Sequence, residues 1–147
     1  MAVIRINQMN EPCILLNLRD TPRYWELPGG MPEPCDGYNP YETALRETCE
    51  EVGIPVPVLR SFIPIEILIP SEKYLGQFYL ILLIIVPRDF TVDHYFTNQE
   101  SRGNCFFPIS ILTTCSSPNG GYDFVKFQRE YFLPHILDYI QHATPRS

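Results

Sequence analysis

A chain of 147 residues makes one globular domain at roughly 100–200 residues per domain, and 45% apolar against 19% charged residues exclude a disordered chain. The 17 acidic and 11 basic side chains leave a formal charge of −6, which argues against long nucleic acid as a partner and requires cations for any polyphosphate ligand. Nine apolar residues run from Phe78 to Val86, far short of the ~20 that span a bilayer, so no membrane partner is expected. The opening residues lack the layout of a secretory leader, and the expected location is the cytoplasm. Five cysteines without a C-x-x-C pair read as free, mostly packed thiols.

In chain order, residues 2–6 and 13–18 read as strands of an opening hairpin around a polar turn. Trp25-Glu26-Leu27-Pro28-Gly29-Gly30 then ends in paired glycines, which let backbone approach a ligand closely. Asn39 as N-cap, Pro40 at the first helical position and Glu42 reaching back predict a helix over Pro40–Val52. Gly53 stops it, Pro55 prevents its resumption, and Ala44, Leu45, Thr48 and Val52 form its packed stripe. Residues 56–69 and 77–86 are rich in branched apolar side chains and read as central strands covered on both faces. Residues 105–109 read as one more strand, entering a short helix over 109–113. Residues 122–142 carry apolar side chains at helical spacing, with Pro134 expected to kink or split the helix.

Glu47, Glu50 and Glu51 sit at i, i+3 and i+4, so their carboxylates share one helix face. Like charges at that spacing cost a few tenths of a kcal/mol per pair, and the last turns of a helix favour cations by roughly 0.3–1 kcal/mol. A sequence selected only for helix stability would avoid this arrangement. Beside a Gly-Gly turn, the three carboxylates supply the oxygen donors that Mg²⁺ or Mn²⁺ requires. Such a cation would also reconcile an acidic chain with a diphosphate ligand.

Gly29-Gly30 followed by Arg46-Glu47-Thr48-Cys49-Glu50-Glu51-Val52-Gly53-Ile54 resembles the Nudix box, Gly-x5-Glu-x7-Arg-Glu-U-x-Glu-Glu-x-Gly-U with U aliphatic. Trp25 to Pro28 and Phe106 to Ser110 also resemble family features. Two departures stand out. Sixteen positions separate Gly30 from Arg46 where the pattern has fourteen, which places two extra residues within 31–36. Tyr38 then occupies the position of the box's first glutamate, leaving Glu33, Asp36 or Glu42 as substitutes to orient Arg46.

The resemblance implies a single Nudix domain over 1–147, an α/β/α sandwich around a central mixed β-sheet. It implies Mg²⁺, with Mn²⁺ as an alternative, held by Glu47, Glu50, Glu51 and the Gly30 carbonyl, with Arg46 orienting Glu47. Glu100, on the loop before the late aromatic strand, is the candidate general base. Arg19, Tyr24, Trp25 and Phe78 are candidate substrate contacts, the aromatics by stacking on a nucleobase. The implied activity is metal-dependent hydrolysis of a phosphoanhydride in a small nucleoside diphosphate-linked substrate. A housecleaning nucleoside triphosphate pyrophosphohydrolase and a catalytically weakened nucleotide-binding module are the alternatives.

Overall fold

A computed structural model describes residues 1–119 and 121–143. In it, six strands form one mixed sheet: β1 (Ala2–Ile6), β2 (Pro12–Arg19), β3 (Tyr24–Glu26), β4 (Ile65–Pro70), β5 (Phe78–Val86) and β6 (Ser101–Pro108). Four helices accompany them: α1 (Pro40–Val52), α2 (Val56–Arg60), α3 (Ile109–Thr114) and α4 (Leu133–Ala143). The opening hairpin pairs β1 with β2 antiparallel, Ile4 opposite Ile14, and β1 runs parallel to β5, Ile4 opposite Ile85.

Strand alternation divides the core into two layers. Ala2, Ile4, Ile14, Leu16, Trp25 and Phe107 face α3 and α4, packing with Leu112, Leu133, Ile136 and Ile140. Val3, Leu15, Leu82 and Ile84 face α1 and α2, packing with Leu45, Val52 and Leu59. The architecture is the expected α/β/α sandwich.

The pairing of β2 determines where a cleft opens. β6 runs along one edge of β2 from Cys13 to Arg19, so β1 and β3 share the other edge. β1 takes residues 12–14 and β3 takes residues 17–19. The chain leaving β3 passes the start of β1, where the Met1 nitrogen donates to the Pro28 carbonyl at 2.5 Å. On the α1 face, this leaves Asn17 and Glu26, which are register partners, beneath the glycine pair.

Helix α1 has the expected bounds. Asn39 accepts from the Tyr41 N–H at 2.9 Å, and Gly53, at φ 75°, donates to the Cys49 carbonyl. A side chain at Gly53 would also meet the Phe96 ring at 2.6 Å. Glu42 does not reach back to the cap; its carboxylate pairs with Arg60 of α2.

Several expectations are corrected. Residues 56–69 are not one strand: Pro57 sits in the first turn of α2, where its missing N–H costs nothing, and only Ile65–Pro70 is extended. β4 is an edge strand with one exposed face, Leu68 being 61% exposed, whereas β5 is buried through its middle. The C-terminal helix begins at Lys126 rather than Tyr122, because residues 123–125 lie beside β3 instead, with Trp25 N–H bonding to the Asp123 carbonyl at 2.8 Å. Pro134 is accommodated by a π-helical turn over Gln128–Phe132, in which Leu133 N–H reaches back to Gln128. Strand β6 is longer than expected, running over Ser101–Pro108, and contains Gly103.

Candidate active site

The site is assembled around Arg46. Its guanidinium forms a two-pronged pair with Asp36, Nε to Oδ1 at 2.8 Å and Nη2 to Oδ2 at 3.0 Å. Asp36 lies on a 3₁₀ turn, Pro34–Asp36, inside the lengthened loop. Its carboxylate also accepts from the Thr43 hydroxyl at 3.0 Å and the Glu33 N–H at 3.1 Å. Arg46 first and then these donors hold the Asp36 carboxyl well below the usual carboxylate range. Of the three candidate substitutes for the missing glutamate, Asp36 therefore takes the role. Glu33 sits farther off at 3.6 Å, and Glu42 belongs to Arg60.

The same guanidinium reaches Glu47 and Glu50, each at 3.1 Å. Glu47 then packs against the glycine turn so closely that a Cβ on Gly30 would lie 2.5 Å from its Oε1, so a side chain there would push Glu47 out of this position. Glu51 is buried, its Oε2 accepting from the Gly29 N–H at 3.3 Å.

Glu47, Glu51, Gly29 and Gly30 from one wall, and Asn17, Arg19, Glu26, Glu100 and Ser101 from the other, enclose a cleft of about 180 Å³. Glu26 is a site acid that sequence reasoning left unassigned; strand alternation from Tyr24 would have indicated it. Burial raises the carboxyls of Glu26 and Glu47. Glu51 is pushed up to about 9 by burial, then by the charges of Glu26 and Glu47.

Glu100 is carried to the cleft by Asn98, whose side-chain oxygen accepts from the Glu100 and Ser101 N–H groups at 2.8 Å each. The Asn98 amide in turn donates to the Glu50 carbonyl, tying this loop to the end of α1. Arg19 stands 3.9 Å from Glu26 and lies over the Tyr24 ring at 5.7 Å.

Of the four expected substrate contacts only Arg19 lines the cleft; Tyr24 lines a neighbouring groove instead. Trp25 is 6% exposed and packs edge-on against Phe107 at 4.8 Å, because strand alternation turns it to the α4 face, so it cannot stack on a base. Phe78 is exposed on β5 opposite Pro70 and does not line the cleft.

The donor set suits a hard divalent cation. Besides the carboxylates, the buried Asn17 Oδ1 and Ser101 Oγ have no hydrogen-bond partner, so polar oxygens at this cleft still require a ligand or a donor. Among the described residues, no three acidic, histidine or cysteine side chains are already gathered as a metal cage. The outlying member is Glu50, drawn aside by Arg46 on the exposed side of α1. An exposed i,i+4 pair of that kind is worth only about 0.3–0.5 kcal/mol, so freeing Glu50 from Arg46 costs little.

The NUDIX domain family matches residues 1–112. No curated protein matches the chain in sequence. The fold is similar to that of an Ap4A hydrolase of C. elegans in a binary complex, with 18% identity over 74% of this chain and 77% of that one, at a TM-score of 0.55. It is also similar to the NUDIX domain of Shewanella oneidensis NrtR complexed with ADP ribose, with 10% identity, 95% and 85% coverage and a TM-score of 0.59. The MutT protein from Methanosarcina mazei Go1 is similar as well, with 17% identity, 98% and 93% coverage and a TM-score of 0.56.

Proposed function

The chain belongs to the NUDIX family, and from that premise we propose that its acidic cleft hydrolyses a phosphoanhydride in a small nucleoside diphosphate-linked substrate. Glu47, Glu50, Glu51 and the Gly30 carbonyl would hold Mg²⁺ or Mn²⁺. The bound cation supplies charge neutralisation on the diphosphate and lowers the pKa of water. The observation that carries this reading is the crowding of buried Glu51 with Glu26 and Glu47 beside unpartnered oxygens, a cluster that favours a cation over solvent.

The chain's own groups have distinct tasks. Asp36 fixes Arg46, and Arg46 holds Glu47 against the glycine turn. Glu100 faces the same cleft from the opposite wall, held there by Asn98, and would accept the proton of the attacking water. Arg19, in the cleft wall, would bind phosphate oxygens, and Tyr24, under the Arg19 guanidinium just outside the cleft, would stack on the base.

Tyr38 at the usual glutamate position would by itself favour the weakened binding module. The Arg46–Asp36 pair supplies the missing anchor and favours the enzyme. The test is turnover with Mg²⁺ and Mn²⁺ on nucleoside triphosphates, ADP-ribose, nucleotide sugars and dinucleoside polyphosphates. Glu50→Gln is expected to lower turnover at least ~10²-fold with the fold intact. Unchanged turnover removes Glu50 from the site, and absence of hydrolysis across the panel leaves the binding module.

A further inference from the structure

A second, larger groove of about 740 Å³ opens where residues 121–126 run beside β3. Arg23, Tyr24, Tyr122, Lys126 and Arg129 line it, which gathers three of the 11 basic residues on a chain of net charge −6. The one acid in its wall, Asp123, is engaged by the Ser117 hydroxyl. Arg129 is half-buried, and among the described residues it has no acidic partner. Lys126 has only Glu130 at 3.8 Å, an exposed pair one helical turn away. Arg23 touches Asp20 and the Tyr122 hydroxyl at 3.4 Å each, which leaves donors of its fork free. Of the three, Arg129 is the cation partly withdrawn from water without a counter-charge, and such a cation is poorly screened and attracts an anion.

The groove and the acidic cleft are neighbours along β3, Tyr24 lining the one and Glu26 the other. Tyr24 and Glu26 alternate onto the same face of β3, about 7 Å apart, and Arg19 bridges them. Along that face the chain places a cluster that needs a cation, then an aromatic ring under a guanidinium, then a group of cations. A ligand complementary to this order has an anhydride at one end, a nucleoside in the middle and a separate anion at the other end.

We propose that the groove binds a second phosphate group of the substrate, carried on the far side of the nucleoside from the scissile anhydride. Three cations can engage the three oxygens and the nearly double negative charge of a phosphate monoester, which a singly charged carboxylate does not offer. This inference rests on the phosphoanhydride reading for the identity of the other end, but its test does not need hydrolysis.

Adenosine 3′,5′-bisphosphate and AMP, neither of which contains an anhydride, are titrated in EDTA against the wild-type protein, Arg129→Ala and Lys126→Ala, with amide NMR shifts as the readout. The bisphosphate is expected to bind the wild type about tenfold more tightly than AMP, as one charge-assisted contact provides, with shifts centred on residues 121–129. Each variant is expected to lose most of that advantage while binding AMP within about twofold of wild type. Equal affinity of the two probes, an advantage kept by both variants, or shifts confined to the cleft of Glu47 and Glu51 overturns the proposal. Two variants at exposed or half-exposed helix positions guard against a single folding failure. Loss of hydrolysis across the nucleotide panel bears on the catalytic reading alone.

Discussion

Glu51→Gln should stabilise the metal-free protein while abolishing its gain from metal. The Glu51 carboxyl lies at about 9 in the folded chain, against 4.5 when unperturbed. Between those values the folded state holds a proton that the unfolded state has released, so stability falls as pH climbs from about 4.5 to about 9. At 1.36 kcal/mol per pH unit, the loss amounts to about 3 kcal/mol by pH 7. Glutamine keeps the shape and can still accept from the Gly29 N–H, but carries no charge to desolvate. For a chain of this size, about 3 kcal/mol corresponds to roughly 6–12 °C in Tm. The assay is thermal unfolding of both proteins across pH 5–9, in EDTA and in saturating Mg²⁺. In EDTA the variant should melt higher at pH 7 and above, and the two curves should converge toward pH 5. Mg²⁺ should raise the wild type by an amount equivalent to about 2.7 kcal/mol at a hundredfold excess over Kd, and should leave the variant nearly unmoved. A variant that melts lower than wild type at pH 8 in EDTA, or that keeps the full Mg²⁺ shift, refutes the reasoning.

Asp36→Asn should lower turnover about tenfold by releasing Arg46, with Asp36→Glu intermediate; unchanged turnover would show that Arg46 is held by its other contacts. Because the Asp36 carboxyl lies below the usual carboxylate range, its stabilising contribution is fully present above about pH 4 and is lost as pH falls further. Urea midpoints at pH 6 and pH 3 should therefore separate the wild type more than Asp36→Asn. Trp25→Ala should lower stability by about 3–5 kcal/mol, the usual result of emptying a large aromatic site, while leaving KM for nucleotides unchanged. A raised KM at unchanged stability would return the indole to the ligand. Glu100→Gln should lower turnover, but less than Glu50→Gln, read by steady-state kinetics; unchanged turnover would assign the base elsewhere.

Local chemistry was the legible part. Asn39, Pro40 and Gly53 bound α1 through contacts within a few residues, so the cap and the stop could be read directly. Glu47, Glu50 and Glu51 shared a face by helical geometry alone. The run over residues 56–69 was ambiguous because a five-residue helix and a buried strand have the same apolar composition. The available signal was Pro57, which a central strand would exclude. Trp25 was misplaced because β3 was not read as a strand; once it is, Tyr24 and Glu26 share the face that carries the cleft and Trp25 turns to the core. Asp36 could only be one candidate among three, since the short turn that aims it at Arg46 forms in a loop without periodicity. The basic groove joins Arg23 and Tyr24 to Lys126 and Arg129 across more than a hundred positions of sequence, a proximity that no local pattern encodes.

The partnership of Arg46 with Asp36 makes loop size and acid placement a single trait. Excising two residues from the 31–36 stretch to recover the common spacing would remove or displace the very carboxylate that steadies the arginine. Tyr38, brought back into register, offers nothing in exchange. Grafting glutamate at 38 into the long form would set two anions competing for one guanidinium. An engineer moving this domain toward the standard box must therefore change both features together, since either intermediate leaves Arg46 with too few partners or too many.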